Sequence, residues 1–348
     1  MFVVGEALVE SGYLAYIAHR LFSHAKNPDQ LVLVILFGIG LLSALLMNDT
    51  LAIIGPPLVL VLATRFKTSP TLLLITLAVA ITTGSVMSPM GNPQNLLIAQ
   101  DSGMAGAFVT FGSYLLIPTL INLLIAFVLL RQFYPEEFSY RPLMHDPVCS
   151  CDRRVTLPVR CSLAIILLLA AANIAASLMG ARMVITLPLI AIAAAVPVLL
   201  LSGQRWTVLR SIDWANLVFF AAMFILMESV WQTGFFQSFV DGGMVSSVPM
   251  ILATSVLISQ FISNVPFVAL FQPMILQAGG GTPPSLMALA AGSTIAGNLT
   301  IFGAASNVII IQNAEKQGYT ISFIEFAKVG IPLTILQIAV YWIFLSVI

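Results

Sequence analysis

Apolar positions run through this chain in long blocks, and the few polar positions inside them are the first clue to its architecture. The 32 residues from Leu31 to Leu62 carry one charge, Asp49, flanked by Asn48 and Thr50, with apolar runs on both sides. As a single helix the stretch would be roughly 50 Å long at about 1.5 Å per residue, too long for a hydrocarbon core of about 30 Å. The pattern predicts two helical arms that meet at Asn-Asp-Thr within the membrane. Such a tip leaves orphan backbone groups, which membrane depth tolerates only under protein or beside a water-filled cavity. A carboxylate at that depth is expensive and by default marks an ion or substrate site.

The remaining elements follow the same reading. A helix is expected over 1–22, the first hairpin over 30–66, and a segment over 70–100 that Ser-Pro-Met-Gly-Asn-Pro interrupts between Ser88 and Pro93. A return helix covers 106–133. The polar loop 134–158 separates a first unit, 1–133, from a second, 159–348. Plain helices are expected over 160–179, 183–202 and 214–235, a second hairpin over 245–278 with Ser263 and Asn264 at its tip, a second broken segment over 284–315 interrupted from Thr300 to Ser306, and a last helix over 322–347.

The two units look alike. Glu6 and Gly12 match Glu228 and Gly234, and Asn48 matches Asn264. Thr82, Gly91, Asn95 and Gln100 match Thr294, Gly303, Asn307 and Gln312 at a constant offset of 212. Paired interruptions in two inverted halves are a pointer to a secondary transporter with a midplane site. Residues 160–222 have no counterpart before Met1, so the reading expects the first repeat to lack two helices and part of a third.

Charge changes the picture by fixing orientation. Charged residues make up 8% of the chain, hydrophobic residues 59%, and mean hydropathy is +1.03, which defines a polytopic α-helical membrane protein. With both ends of the first hairpin inside, all Lys and Arg except Arg182 fall on the cytoplasmic side, while Asp101 and Asp241 sit in short outer loops. Cys149 and Cys151 lie in the polar loop, where thiols stay reduced; with Cys161 they could hold a soft metal or arsenic(III), or be ordinary loop thiols. His19, His24 and His145 lie near the surface, and no zinc-protease motif, phosphate loop or nucleophile–base set appears, so the chain is expected not to be an enzyme and to bind no nucleic acid or resident cofactor. The opening residues read as the inside of a membrane helix rather than as a cleavable signal.

The candidate chemistry sits at four polar interruptions. Each break starts a half-helix whose free N–H groups suit an anion, and ends one whose carbonyls, with Ser, Thr and Asn oxygens, suit a hard cation such as Na⁺. Gly91 and Gly303 admit close backbone approach; Pro89 and Pro93 keep the helix from re-forming. No Lys or Arg is expected at this depth. Asp49 reads as the carrier of H⁺ or Na⁺, or alternatively as a helix N-cap. Glu6 and Glu228, in plain helices, read as scaffold contacts.

MNDT from Met47, SPMGNPQNL from Ser88, SNVP from Ser263 and AGNLTIFGAASN from Ala296 resemble the ion transporter superfamily, nearest to its citrate-transporter-like, arsenical-pump and sodium/proton-antiporter group of anion permeases. The resemblance implies an all-α polytopic fold of inverted repeats, each with a re-entrant hairpin and a broken helix, working as a homodimeric elevator transporter in the cell membrane. By motif it places substrate and ion ligands at Asn48, Asp49, Thr50, Gly91, Asn95, Ser263, Asn264, Gly303 and Asn307; Ser88, Asn92, Thr300 and Ser306 at the two breaks are further candidates, and Na⁺ is conceivable at Asn48, Asp49, Gly91 and Asn95. Asn-Val at the second tip, where sodium–dicarboxylate members have Asn-Thr, argues against a symmetric second Na⁺ site. The expected activity is therefore secondary transport of a small inorganic or metalloid anion driven by H⁺ or Na⁺. Arsenite efflux, sodium/proton exchange, carboxylate uptake and a non-transporting scaffold or binding subunit are the alternatives.

Overall fold

The computed structural model describes residues 2–22, 25–104, 106–138, 153–179, 185–212, 214–240 and 242–347. His24, Arg141, His145, Cys149, Cys151, Arg182 and Asp241 lie outside the described residues, as does the side chain of His19. The described residues form helices and turns, and five helices are long and apolar enough to cross a membrane: Pro28–Leu45, Asn48–Phe66, Ala107–Phe133, Val155–Leu178 and Phe323–Val347.

The chain opens with α1 (Phe2–Glu10) and α2 (Tyr13–Phe22), not one helix over 1–22. Gly12 adopts φ +65°, a left-handed conformation that ends α1 and that glycine takes without a Cβ clash. The first hairpin arm is α3 (Pro28–Val34), a π-helical turn (Ile35–Ile39) and α4 (Gly40–Leu45); after a reversal at Leu46 and Met47, α5 (Asn48–Phe66) returns. The first interrupted helix is α6 (Pro70–Ser85) and α7 (Pro93–Asp101), followed by α8 (Ala107–Phe133). Next come α9 (Arg153–Leu178), α10 (Leu187–Leu201), α11 (Arg205–Ser211), α12 (Trp214–Thr233) and α13 (Phe235–Phe239). The helix expected from 160 thus begins at Arg153. Its polar start marked it as loop, but Arg and Leu are good helix formers in water, so the helix extends beyond the apolar run. The second hairpin is α14 (Val248–Ile262) and α15 (Asn264–Gln277), the second interrupted helix α16 (Pro283–Leu299) and α17 (Ala305–Glu315), and the last helix α18 (Phe323–Val347).

Two helices organise the rest. Every residue from Leu72 to Ser85 of α6 and from Leu286 to Asn298 of α16 is buried, as expected of a helix apolar all round its circumference. Both start alike: the hydroxyl of Ser69 accepts from the Leu72 N–H and that of Thr282 from the Ser285 N–H, each followed by proline at the first helical position. α6 and α16 pack on each other and are tied to α18 by a closed polar triangle. Asn298 Nδ2 donates to Thr83 Oγ1 and Gln337 Oε1, and Gln337 Nε2 donates to Thr83 Oγ1, each at 3.0 Å. In surroundings without water, amide bonds of this kind hold helices in one register, although Asn298 Oδ1 itself is buried without a partner.

Outside this centre the packing is crossed. α5, the return arm of the first hairpin, packs on α17 of the second unit, and α15 packs on α7 of the first. α1 lies against α9, α10 and α11 and also touches α5, where Gly5 faces the Thr50 side chain so closely that an added Cβ would overlap it. Glu6 is half-buried on α1, while Glu228 is exposed on α12 and accepts from Gln232 Nε2 at 2.9 Å.

Candidate functional site

The first tip has no side-chain cap: Met47 is the N-cap residue of α5, and Asp49 lies one residue inside the helix start. α5 starts at Asn48, whose Oδ1 accepts from the Asp49 N–H at 2.9 Å, and the Asn48 N–H donates to the Gly91 carbonyl at 2.9 Å. That second bond joins tip to break. Asn48, Asp49 and Thr50 are 7, 5 and 6% exposed, so the carboxylate is enclosed by protein rather than solvated. Among the described residues it takes part in no salt bridge, and it lies in the first turn of α5, where the helix dipole favours negative charge.

The second tip is strained where the first is not. Ser263 holds φ +67° and ψ 163°, a region that only glycine occupies comfortably, whereas Met47 at the first reversal sits at φ −58°. Strain of this kind costs about 1–3 kcal/mol and persists where the surrounding structure enforces it. Ser263→Gly is therefore expected to raise thermal stability by about 1 kcal/mol or more at this position. Thermal unfolding of the purified variant measures it, and an unchanged or lower midpoint would show that the backbone is relaxed there.

The two breaks are closed by matching asparagines. Asn95 Nδ2 donates to the carbonyls of Ser85, Val86 and Ser88 at 3.1, 3.2 and 3.1 Å. Asn307 Nδ2 donates to those of Gly297 and Thr300 at 2.5 and 3.4 Å. Gly297 and Thr300 stand 212 residues after Ser85 and Ser88, so each amide reaches the same two carbonyls of its own broken helix. Gly91 and Gly303 lie so close to the Ser85 and Ala296 carbonyls that a side chain would overlap them.

The oxygens of the two asparagines differ in surroundings. Asn95 Oδ1 accepts from Thr294 Oγ1 at 3.4 Å, and Thr294 also receives Asn92 Nδ2 at 3.2 Å and Gln94 Nε2 at 3.4 Å, so the first break is saturated by the helix of the second. At the corresponding places of the other half, Thr82 Oγ1, Ser306 Oγ and Asn307 Oδ1 are buried without a hydrogen-bond partner, as is Asn264 Oδ1 at the second tip. Buried oxygens without donors are costly unless something else supplies positive charge.

The structure thus joins Asn48 to Gly91, and Asn92 and Asn95 to the second broken helix. Ser88, Asn264, Ser306 and Asn307 are buried, and Ser263 and Thr300 half-buried, around the same crossed packing. No direct hydrogen bond joins Asp49 to Asn264 or Asn307 among the described residues. Sequence reading missed Gln260. Its Oε1 accepts from Thr300 Oγ1 at 2.8 Å and its Nε2 donates to the Ala296 carbonyl at 2.9 Å, which ties the end of α16 to the first arm of the second hairpin. A lone amide four residues before a polar tip was the available signal.

Apolar spanning helices, two hairpins with buried polar tips and two interrupted helices define a multi-pass membrane protein of the transporter class. The chain belongs to the citrate transporter family, CitMHS, whose pattern it matches over residues 1–281. It is similar to an uncharacterized transporter of Mycobacterium bovis, 29% identical over 370 residues that cover 99% of this chain and 83% of the relative. A 46 kDa membrane protein of Mycobacterium leprae is 26% identical over 373 residues, covering 99% and 83%. The human P protein is 33% identical over 158 residues, 40% of this chain and 19% of that protein. The bacterial relatives point to the cell membrane as its location.

Proposed function

We propose that this protein is a secondary active transporter of a small anion, inorganic or metalloid, coupled to H⁺ or Na⁺ through Asp49. The observation that carries the reading is the enclosed, unpaired Asp49 carboxylate in the first turn of a hairpin arm that packs on the second interrupted helix. A carboxylate so placed takes up a proton or a cation when the pocket holds one and gives it up when the pocket opens. The N-termini of α5, α7, α15 and α17 supply N–H groups for an anion, with no Lys or Arg side chain buried among the described residues. Support for a cation beside the anion comes from the bare oxygens of Thr82, Asn264, Ser306 and Asn307, which suit a hard ion better than the saturated first break does. A second reading, an organic carboxylate as cargo, is favoured by the description of the family as citrate transporters.

The test is flux into proteoliposomes holding the purified chain. Labelled arsenite, phosphate, sulfate and citrate are offered under imposed H⁺ or Na⁺ gradients. Accumulation of at least one of them under one gradient is expected. No accumulation of any under either would turn the reading toward a non-transporting scaffold or binding subunit.

A further inference from the structure

A groove of about 440 Å³ lies away from the tips and breaks, between the C-terminal end of α5 and the turn that follows α17; Leu60, Val61, Thr64, Arg65, Gln317 and Tyr319 line it. Its wall is graded. Leu60 and the exposed Val61 form the apolar end, and Arg65, Gln317 and Tyr319 form a polar rim one turn further along α5. The rim is preformed. Gly318 at φ +81° closes α17, and the N–H groups of Gln317, Gly318 and Tyr319 donate to the carbonyls of Ala314, Glu315 and Ala314 at 2.9, 2.9 and 3.1 Å. Lys67 caps α5 and Lys316, whose Nζ donates to Asn313 Oδ1 at 3.2 Å, follows α17, so with Arg65 three basic residues outweigh the neighbouring Glu315, which accepts from Thr320 Oγ1 at 3.2 Å.

We infer that this groove seats one anionic phospholipid of the bilayer, its phosphate against Arg65 and Tyr319 and an acyl chain along Leu60 and Val61. Charge and polarity choose the occupant. An arginine fork matches a phosphate bidentately, tyrosine favours the headgroup level, and basic recesses between membrane helices hold acidic headgroups. An apolar wall would be idle for a soluble phosphate and is what an acyl chain requires. The seat bridges α5, which carries the first tip, and α17, which carries Ser306 and Asn307.

The purified full-length chain tests this without any flux assay. Native mass spectrometry counts phosphatidylglycerol retained per chain, and thermal unfolding is followed with added phosphatidylglycerol, phosphatidylcholine or inorganic phosphate. The native chain should retain phosphatidylglycerol and be stabilised by it, but not by the other two. Arg65→Gln should weaken retention about fivefold. Val61→Trp, which leaves Arg65 in place and fills the apolar wall, should also displace the lipid and guards against a folding defect in the first variant. Equal retention in the native chain and both variants overturns the proposal. So does equal stabilisation by phosphatidylcholine, which would mark an unselective lipid contact, or by inorganic phosphate, which would mark a soluble-anion site.

Discussion

Asp49→Asn abolishes gradient-driven uptake while leaving the protein folded. The replacement keeps the shape of the side chain and removes only its capacity to gain and lose charge. An ionised Asp at the centre of a membrane helix costs about 2.5–3.5 kcal/mol on insertion scales, so exchanging it for an uncharged amide should leave stability unchanged or raise it. The tip does not depend on the carboxylate: Asn48 Oδ1 accepts from the Asp49 N–H, and the link to the break comes from the Asn48 N–H. Two measurements separate function from fold. Thermal unfolding of the purified variant should match or exceed that of the native chain, and uptake under the productive H⁺ or Na⁺ gradient should fall to the level of empty vesicles. Retained uptake with the native dependence on the gradient would move the coupling group elsewhere, the half-buried Glu6 being the next carboxyl to examine.

Much of this architecture is legible in the letters because a polar residue in an apolar run has few places to be. Asn48 and Asn264 announced the hairpin reversals, and Pro89, Gly91 and Pro93 the first break, since each removes or loosens a backbone bond that lipid cannot replace. The break at Gly12 was hidden, because a glycine within an apolar run fits a continuous helix as well as a left-handed stop. The crossed packing of α5 on α17 and α15 on α7 was hidden for a different reason: it pairs segments far apart in the chain, and no local pattern encodes which buried faces meet. Amides show the limit most clearly. Asn95 and Asn307 are the same residue at matched positions and close their breaks through the same two carbonyls. Yet one oxygen receives the Thr294 hydroxyl and the other receives nothing, a difference set by packing around Thr82 and Thr294. For the same reason Asn298 and Gln337 could equally have been ligands on sequence alone; the structure spends them on Thr83.

Gly84→Leu should be the most disruptive single substitution outside the tips and breaks. Gly84 is buried on α6 where the first hairpin crosses it, and a Cβ there would overlap the Cα, carbonyl carbon and oxygen of Gly40. Those are backbone atoms of the facing helix, not the end of a side chain that can swing aside. Gly40 has little freedom to retreat: it follows the π-helical turn, and its own Cβ position lies 3.3 Å from Leu123 Cδ1 and 3.4 Å from the Ala80 carbonyl. Paired glycines of this kind let two membrane helices approach to backbone contact, and without them the helices must separate. Overpacking a filled interface costs about 1–3 kcal/mol and more when backbone must shift. Here the shift would carry α4 outward and pull Asn48 from Gly91, so stability and uptake should fall together. Gly112→Leu is the control, since that glycine lies in α8 with nothing within 4 Å of its Cβ position. There the change only improves helix propensity, by up to about 1 kcal/mol. Thermal unfolding of the two purified variants should therefore move in opposite directions from the native midpoint. Equal midpoints would mean that α4 and α6 are not in backbone contact, and the tip would then have to be held at its break by the Asn48–Gly91 bond alone.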